Sequence, residues 1–421
     1  MSGHVRSISG QPMGAGEGAI SHKQRDPRLF TALGYVVFTG IIVIALLEFG
    51  AFVTLSVCHW LWPETAINFA ANSPAYRAYS WAPEFWKEEE ARWRSQHGSY
   101  EPFRIWGVAP WHSKFINTDD SKNGSWRRTI NPLGCAENTR TDVWMFGGST
   151  LFGTGVPDWA TIPSFLSRDL NSIEVGCVVV TNFGTEGYVT NQELILLIDQ
   201  LKVGRRPRLV VFYDGVNDSY AGAVSPGLAT AHVSFANIKA RVEGSLVGRI
   251  DFLRDSYAFR LAMMVINSVH RTNVVMEAGQ NESKAQATLD NYQANLRMVR
   301  ILGDAYGFRV FCFWQPALVY GRKVLSPFEW KIAANETDQG TFRIMATVYR
   351  EAEKRGVKDN DFIFLGSDFD TCSEPVYLDK WMHLSPAGNE LVARTLATYI
   401  EGTLKSLSKP AAAKASSPGS Q

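Results

Sequence analysis

Apolar residues in this chain fall into three kinds of run. The first is unbroken: Leu29–Leu47 (LFTALGYVVFTGIIVIALL) has 19 residues without a charge, and after Glu48 the apolar character resumes to about Val57. About 20 apolar residues are needed to cross a bilayer, so a transmembrane helix is predicted over residues 29–57. The second kind is short. Val143–Phe146, Val178–Thr181, Leu209–Tyr213, Val310–Trp314 and Phe362–Leu365 have the length and composition of buried strands. The third kind repeats with helical period, at Ile162–Leu170, Gln192–Leu201, Ala285–Tyr306, Phe342–Arg355 and Pro386–Leu404. Strands and helices that alternate in this way predict an α/β fold, a three-layer sandwich with a five-stranded parallel sheet and helices on both faces.

The segments between these runs complete the domain plan. Residues 1–28 are Gly/Ser-rich and then basic, with Lys23, Arg25 and Arg28 directly before the apolar run; they read as a disordered cytoplasmic tail. A basic flank on the N-terminal side keeps that end inside and exports the bulk of the chain, giving a single-pass protein of the inner membrane. A cleaved signal peptide fits less well, because the basic region is long and no small-x-small site comes promptly after the apolar run. Leu55-Ser56-Val57-Cys58 faintly suggests a lipoprotein site, but Val57 is large beside the cysteine. Residues 58–140 form a Trp-rich membrane-proximal extension with a charged helical piece at Pro83–Gln96. The main domain spans 141–407, interrupted by an insertion at 219–280 that is helical in Phe252–Val269, and 408–421 is an Ala/Ser/Pro/Lys tail.

Composition narrows the function classes. Lys and Arg total 42 and Asp and Glu total 41, so there is no electrostatic case for nucleic acid. Eight of the 13 tryptophans lie between Trp60 and Trp126. Trp60 and Trp62, just after the apolar run, suit an interfacial belt; for the others, packing on the main domain is the first expectation and sugar stacking the second. The five cysteines show no metal-ligand spacing; Cys312 reads as core, and Cys135, Cys177 and Cys372 could include a disulfide pair. Gly153-Thr154-Gly155 lacks the third glycine of a dinucleotide loop, and no phosphate-loop lysine is present. Asp214 and Asp218 could suggest a metal, but bracing of their loop is the simpler expectation. No cofactor and no metal are expected.

The chemistry lies in the segments just past the strands, since ligands of an open parallel sheet bind beyond the carboxyl ends of its strands. The first strand runs into Gly147-Gly148-Ser149, the second into NFGTEGYVTNQ (Asn182–Gln192) and the third into DGVND (Asp214–Asp218). Near the C-terminus comes YLDKWMHLSPAGN (Tyr377–Asn389), with Asp379 and His383. A serine hydroxyl is a poor nucleophile until a base takes its proton, and histidine suits that task near neutral pH. Ser385 and Pro386 suit the cap and first position of a helix that would hold His383 at its entrance.

These four motifs, in this order, resemble the SGNH (GDSL-like) hydrolases over roughly Asp142 to Leu404. The resemblance implies a flavodoxin-like sandwich, with Ser149 as nucleophile, His383 as general base and Asp379 orienting it. It implies an oxyanion hole made by the amides of Ser149 and Gly187 and the side chain of Asn217. Two departures stand out. The family's first motif usually reads Gly-Asp-Ser, where this chain has Gly148. Its Asp usually stands three residues before the His, whereas Asp379 stands four before His383. Either a one-residue bulge lets Asp379 reach the ring, or the site is a Ser-His dyad helped by a backbone carbonyl. The expected activity is hydrolysis of O-acyl, chiefly O-acetyl, esters on a cell-surface glycan or a small ester. The alternatives are O-acyl transfer to a polysaccharide at the same site, and a decayed glycan-binding component.

Overall fold

The computed structural model describes residues 27–61, 66–95, 98–121, 124–136, 140–173, 176–225, 231–243, 253, 256–269, 278–334, 339–356 and 362–408. The two predicted tails, apart from their innermost residues, and Trp62 lie outside this set. The described chain divides into two compact units, residues 1–61 with 253–265, and residues 62–252 with 266–421.

In the first unit one helix, Pro27–Leu61, contains Thr31–Cys58, a stretch long and apolar enough to cross a membrane. Most of its described side chains are exposed. The other element, Tyr257–Val265, is the greater part of a helix that runs on to Val269; it begins five residues after the sequence-based start at Phe252.

The second unit is α/β. A small hairpin of β1 (Ser99–Glu101) and β2 (Ile105–Gly107) precedes the main strands, which are β3 (Thr118–Ser121), β4 (Gly124–Arg127), β5 (Thr141–Gly147), β6 (Val178–Asn182), β7 (Leu209–Asp214), β8 (Arg309–Trp314) and β9 (Phe362–Phe364). They form one sheet in the order β3-β4-β6-β5-β7-β8-β9. The five predicted strands are all present and all parallel. The sheet nevertheless has seven strands, not five. The antiparallel pair β3–β4 comes from the extension, which reads as irregular, and joins β6 through Arg127 and Asn182. Its sequence, TDDS and GSWR, has no apolar run, because an edge hairpin needs only one buried face and backbone pairing.

All six residues of β7 are buried, as a strand covered on both faces must be. The helices pack in two groups. Ile162–Asn171 lies against Pro386–Ser408, and Val216–Val224, Ala278–Tyr306 and Gln339–Gly356 lie against one another. Phe146 stacks between Phe183 and Phe212 at the centre, with ring centroids 5.0 and 5.3 Å away. A second apolar cluster holds Tyr76, Phe85, Trp86, Phe115 and Leu378, so much of the extension's tryptophan content is packing. Cys135 and Cys177 form a disulfide between the chain before β5 and the start of β6, with Cα atoms 5.8 Å apart. Cys372 is free.

Candidate active site

β5 ends in two glycines and hands the chain to a one-turn helix, Ser149–Phe152, whose first residue is Ser149. Gly148 is needed for a close approach: a Cβ there would lie 2.2 Å from Asn217 Nδ2. The absence of a side chain at 148 therefore lets the Asn217 carboxamide lie against the serine turn. Asn217 Nδ2 also donates to Tyr188 O at 2.8 Å, which ties the loop after β7 to the loop after β6. Gly187 has φ +77°, a left-handed conformation that a side chain would strain. Three of the expected loops thus meet at one edge of the sheet.

His383 reaches that edge from the other end of the domain. Its Nε2 is 2.8 Å from Ser149 Oγ, and its Nδ1 is 2.6 Å from Asp379 Oδ2. The longer Asp–His spacing is absorbed by Met382, a buried non-glycine residue at φ +62°. The turn is closed by backbone bonds from Leu378 N to His383 O (2.9 Å) and from Met382 N to Asp379 O (3.2 Å). Asp379 Oδ1 accepts from Trp381 N at 2.9 Å. Ser385 Oγ accepts from Gly388 N at 3.2 Å at the start of the last helix.

The electrostatics follow from this packing. Burial pushes the Asp379 carboxyl up, but His383 and the Trp381 and His383 amides outweigh it and hold the carboxyl below its ordinary value. Burial disfavours the charged His383 ring, yet Asp379, with help from Glu186 and Glu89, raises the imidazole above its ordinary 6.5. A carboxylate on Nδ1 fixes that proton and leaves Nε2 to accept one from the serine.

Asp218 ties its loop to Thr190, whereas Asp214 Oδ2 accepts from the Tyr292 hydroxyl at 3.3 Å, and among the described residues no cluster of metal-ligating side chains is found. Asp218 accepts from Thr190 N and Thr190 Oγ1, and burial pushes its carboxyl up to about 6. Asp214 and Glu193 are buried near each other, and both carboxyls are pushed well above the ordinary range, first by burial.

Several residues around the site were not legible as such. The helix Ala82–Ser95 contributes Glu89 and Arg92, 1% and 5% exposed. Arg92 pairs with Glu89 at 2.9 Å and with Glu186, next to Gly187, at 2.9 Å. Thr154 Oγ1 also donates to Glu186 (2.7 Å), and Trp106 Nε1 to Glu186 O (2.8 Å). A cavity of about 270 Å³ adjoins His383 and is lined by Trp86, Glu89, Trp93, Thr154, Leu378 and Trp381, among others. The available signal was a pair of opposite charges, Glu89 and Arg92, three apart on the stripe that buries Phe85 and Trp86.

No family model and no curated protein sequence matches the chain. Its structure is similar to solved structures described as a lipase/acylhydrolase from Enterococcus faecalis (16% identity, TM-score 0.34, covering 64% of this chain and 100% of that one) and an acetyl xylan esterase (16%, 0.34, 62% and 99%). It is likewise similar to an acetylxylan esterase from Geobacillus stearothermophilus (14%, 0.32, 62% and 94%).

Proposed function

We propose that this chain is a serine ester hydrolase of the SGNH type, anchored in the inner membrane through residues 29–57 with its catalytic domain outside the cytoplasm. The observation that carries the reading is the unbroken hydrogen-bonded row from Ser149 Oγ through His383 to Asp379. Ser149 Oγ attacks the ester carbonyl carbon while His383 Nε2 takes its proton. The charge that develops on the carbonyl oxygen is met by the amides of Ser149 and Gly187 and the Asn217 carboxamide. The tetrahedral adduct then collapses. His383 returns the proton to the departing alcohol oxygen, and water, activated by the same ring, releases the acyl group from Ser149.

The alcohol part of the substrate belongs on the imidazole side, because His383 protonates it. The cavity there has walls of Trp86, Trp93 and Trp381, with Trp93 and Trp381 substantially exposed. Flat aromatic walls with Glu89 and Thr154 beside them suit the ring of an O-acylated glycan. The same feature favours a second reading, acyl transfer, in which a sugar hydroxyl held in this cavity replaces water. The intact relay weighs against a decayed binding component. The Cys135–Cys177 disulfide agrees with an oxidising compartment.

The test is labelling by a fluorophosphonate and then mass mapping, with hydrolysis of a short-chain aryl ester measured alongside. An adduct on Ser149, lost in His383→Ala, is expected. An unlabelled Ser149 in a folded chain would remove the catalytic reading. Acyl release against acyl transfer in the presence of a saccharide separates the two enzymatic readings.

A further inference from the structure

Glu48 is the only charged residue between Arg28 and His59. A carboxylate in so apolar a stretch is costly in hydrocarbon and calls for a partner. The partner comes from the insertion, more than 200 positions later. Glu48 Oε2 accepts from Tyr257 N at 2.8 Å, and Glu48 Oε1 accepts from Ser256 Oγ. Ser256 Oγ itself accepts from Phe259 N at 3.1 Å. The carboxylate therefore sits at the N-terminus of the helix Tyr257–Val269, where free amides and the helix dipole favour negative charge. Phe52 packs edge-on against Tyr257, with ring centroids 5.1 Å apart.

Among the described side chains of the docked helix, those exposed are apolar except Arg260. Tyr257, Leu261, Met264 and Val265 fall on one stripe. Met264 and Val265 are 47% and 51% exposed. Arg260 lies over the Tyr257 ring at 5.8 Å, with a stem long enough to carry its charge to water. Thirteen residues make a helix about 20 Å long, too short for a hydrocarbon core of about 30 Å. Within the 29–57 span, the uncharged run Leu29–Leu47 measures about 28 Å as helix, close to the core thickness, so Glu48 falls at the outer edge of the hydrocarbon and the rest of the span continues into the interface.

We infer that the helix Tyr257–Val269 is a second membrane element, lying along the outer bilayer surface beside the last third of the 29–57 span, held there by Glu48 and with its apolar stripe in lipid. The inference rests on the reading of residues 29–57 as a membrane span, and its occupant is the bilayer. The insertion that starts just after Asn217 would then return to the lipid surface, so that the chain touches the membrane at two places far apart in sequence.

The experiment uses the full chain in native membranes with Cys58 and Cys372 replaced by serine. Phe52→Cys with Tyr257→Cys should cross-link in most chains under mild oxidation. Glu48→Gln, which keeps a hydrogen-bond acceptor, should retain the cross-link, and Glu48→Leu should lower its yield at least tenfold. A nitroxide on Met264→Cys should be relaxed more by oxygen than by a water-soluble nickel complex, as for a lipid-facing site. Absence of the cross-link, or a label at 264 relaxed more by nickel, overturns the inference while leaving the anchor intact. Release of the full chain by alkaline carbonate overturns the anchor reading and this inference together.

Discussion

The two sides of the candidate site are held in place in different ways. The loop carrying Asp379 and His383 is largely self-supporting. Its own backbone closes it, from Leu378 N to His383 O and from Ser385 N to Val376 O. The buried Glu329 adds acceptors for the Val376 and Tyr377 amides at 3.0 and 3.2 Å. The loop carrying Glu186, Gly187 and Tyr188 is held from outside. Arg92 and Trp106 grip Glu186, Arg104 Nη1 donates to the Tyr188 hydroxyl at 2.9 Å, and Asn217 binds Tyr188 O. Three of these four side chains come from the extension before β5. The proton-handling side is thus local in sequence, and the proposed oxyanion side depends on residues far upstream.

The largest perturbation removes what the two sides share. Ser149→Ala and His383→Ala should each lower kcat on an aryl ester by about 10⁶-fold, with the near-UV circular dichroism unchanged. Asp379→Asn should cost less, about 10⁴-fold. It should also move the acid limb of kcat/KM. On the proposed mechanism activity requires neutral His383, so it should fall as pH drops through the histidine pKa, which is raised in the intact site. Without the facing carboxylate, burial acts less opposed and the limb should shift to lower pH. An unmoved limb would detach Asp379 from the ring.

Arg92→Met attacks the other side alone. It leaves the buried Glu89 and the half-buried Glu186 without their shared cation, a loss of about 3 kcal/mol in stability, measurable by urea unfolding. In whatever fraction stays folded, kcat should fall and the acid limb should move up, because two unneutralised carboxylates then act on His383. Next come Asn217→Ala and Gly148→Ala, each expected to lower kcat about 100-fold. They should not add in the double variant, since a methyl at 148 acts by displacing the Asn217 amide. Additive losses would mean the two positions act separately. The smallest effect is that of Trp93→Ala: about a fivefold rise in KM for an acylated saccharide, a fraction of the few kcal/mol at stake in burying an aromatic ring, and no change for a small alkyl ester.

This asymmetry also explains what could be read from the chain before its fold was known. Strand runs such as Leu209–Tyr213 announce themselves because a strand covered on both faces must be apolar throughout. Ser149, Gly187, Asn217 and His383 stand out as candidates because each lies just past an element end or before a helix start, beside a recognisable glycine, turn or helix-cap signal. β3 and β4 were missed because an edge hairpin is specified by pairing and not by an apolar run. Arg92 and Glu89 were missed because charges on a helix usually face water, and only the fold reveals that this pair is buried beneath the site.

Sequence alone determined the five parallel strands with the five helices between and after them, the 29–57 apolar stretch and the types of group available for chemistry, since these depend on local periodicity and residue identity. Tertiary structure decided the rest. It decided that the four-residue Asp379–His383 spacing closes through Met382, that the extension clamps the loop at Gly187, and that Glu48 meets Tyr257. Each of those is a contact between backbone conformations or buried charges whose energy exists only once distant segments exclude water together.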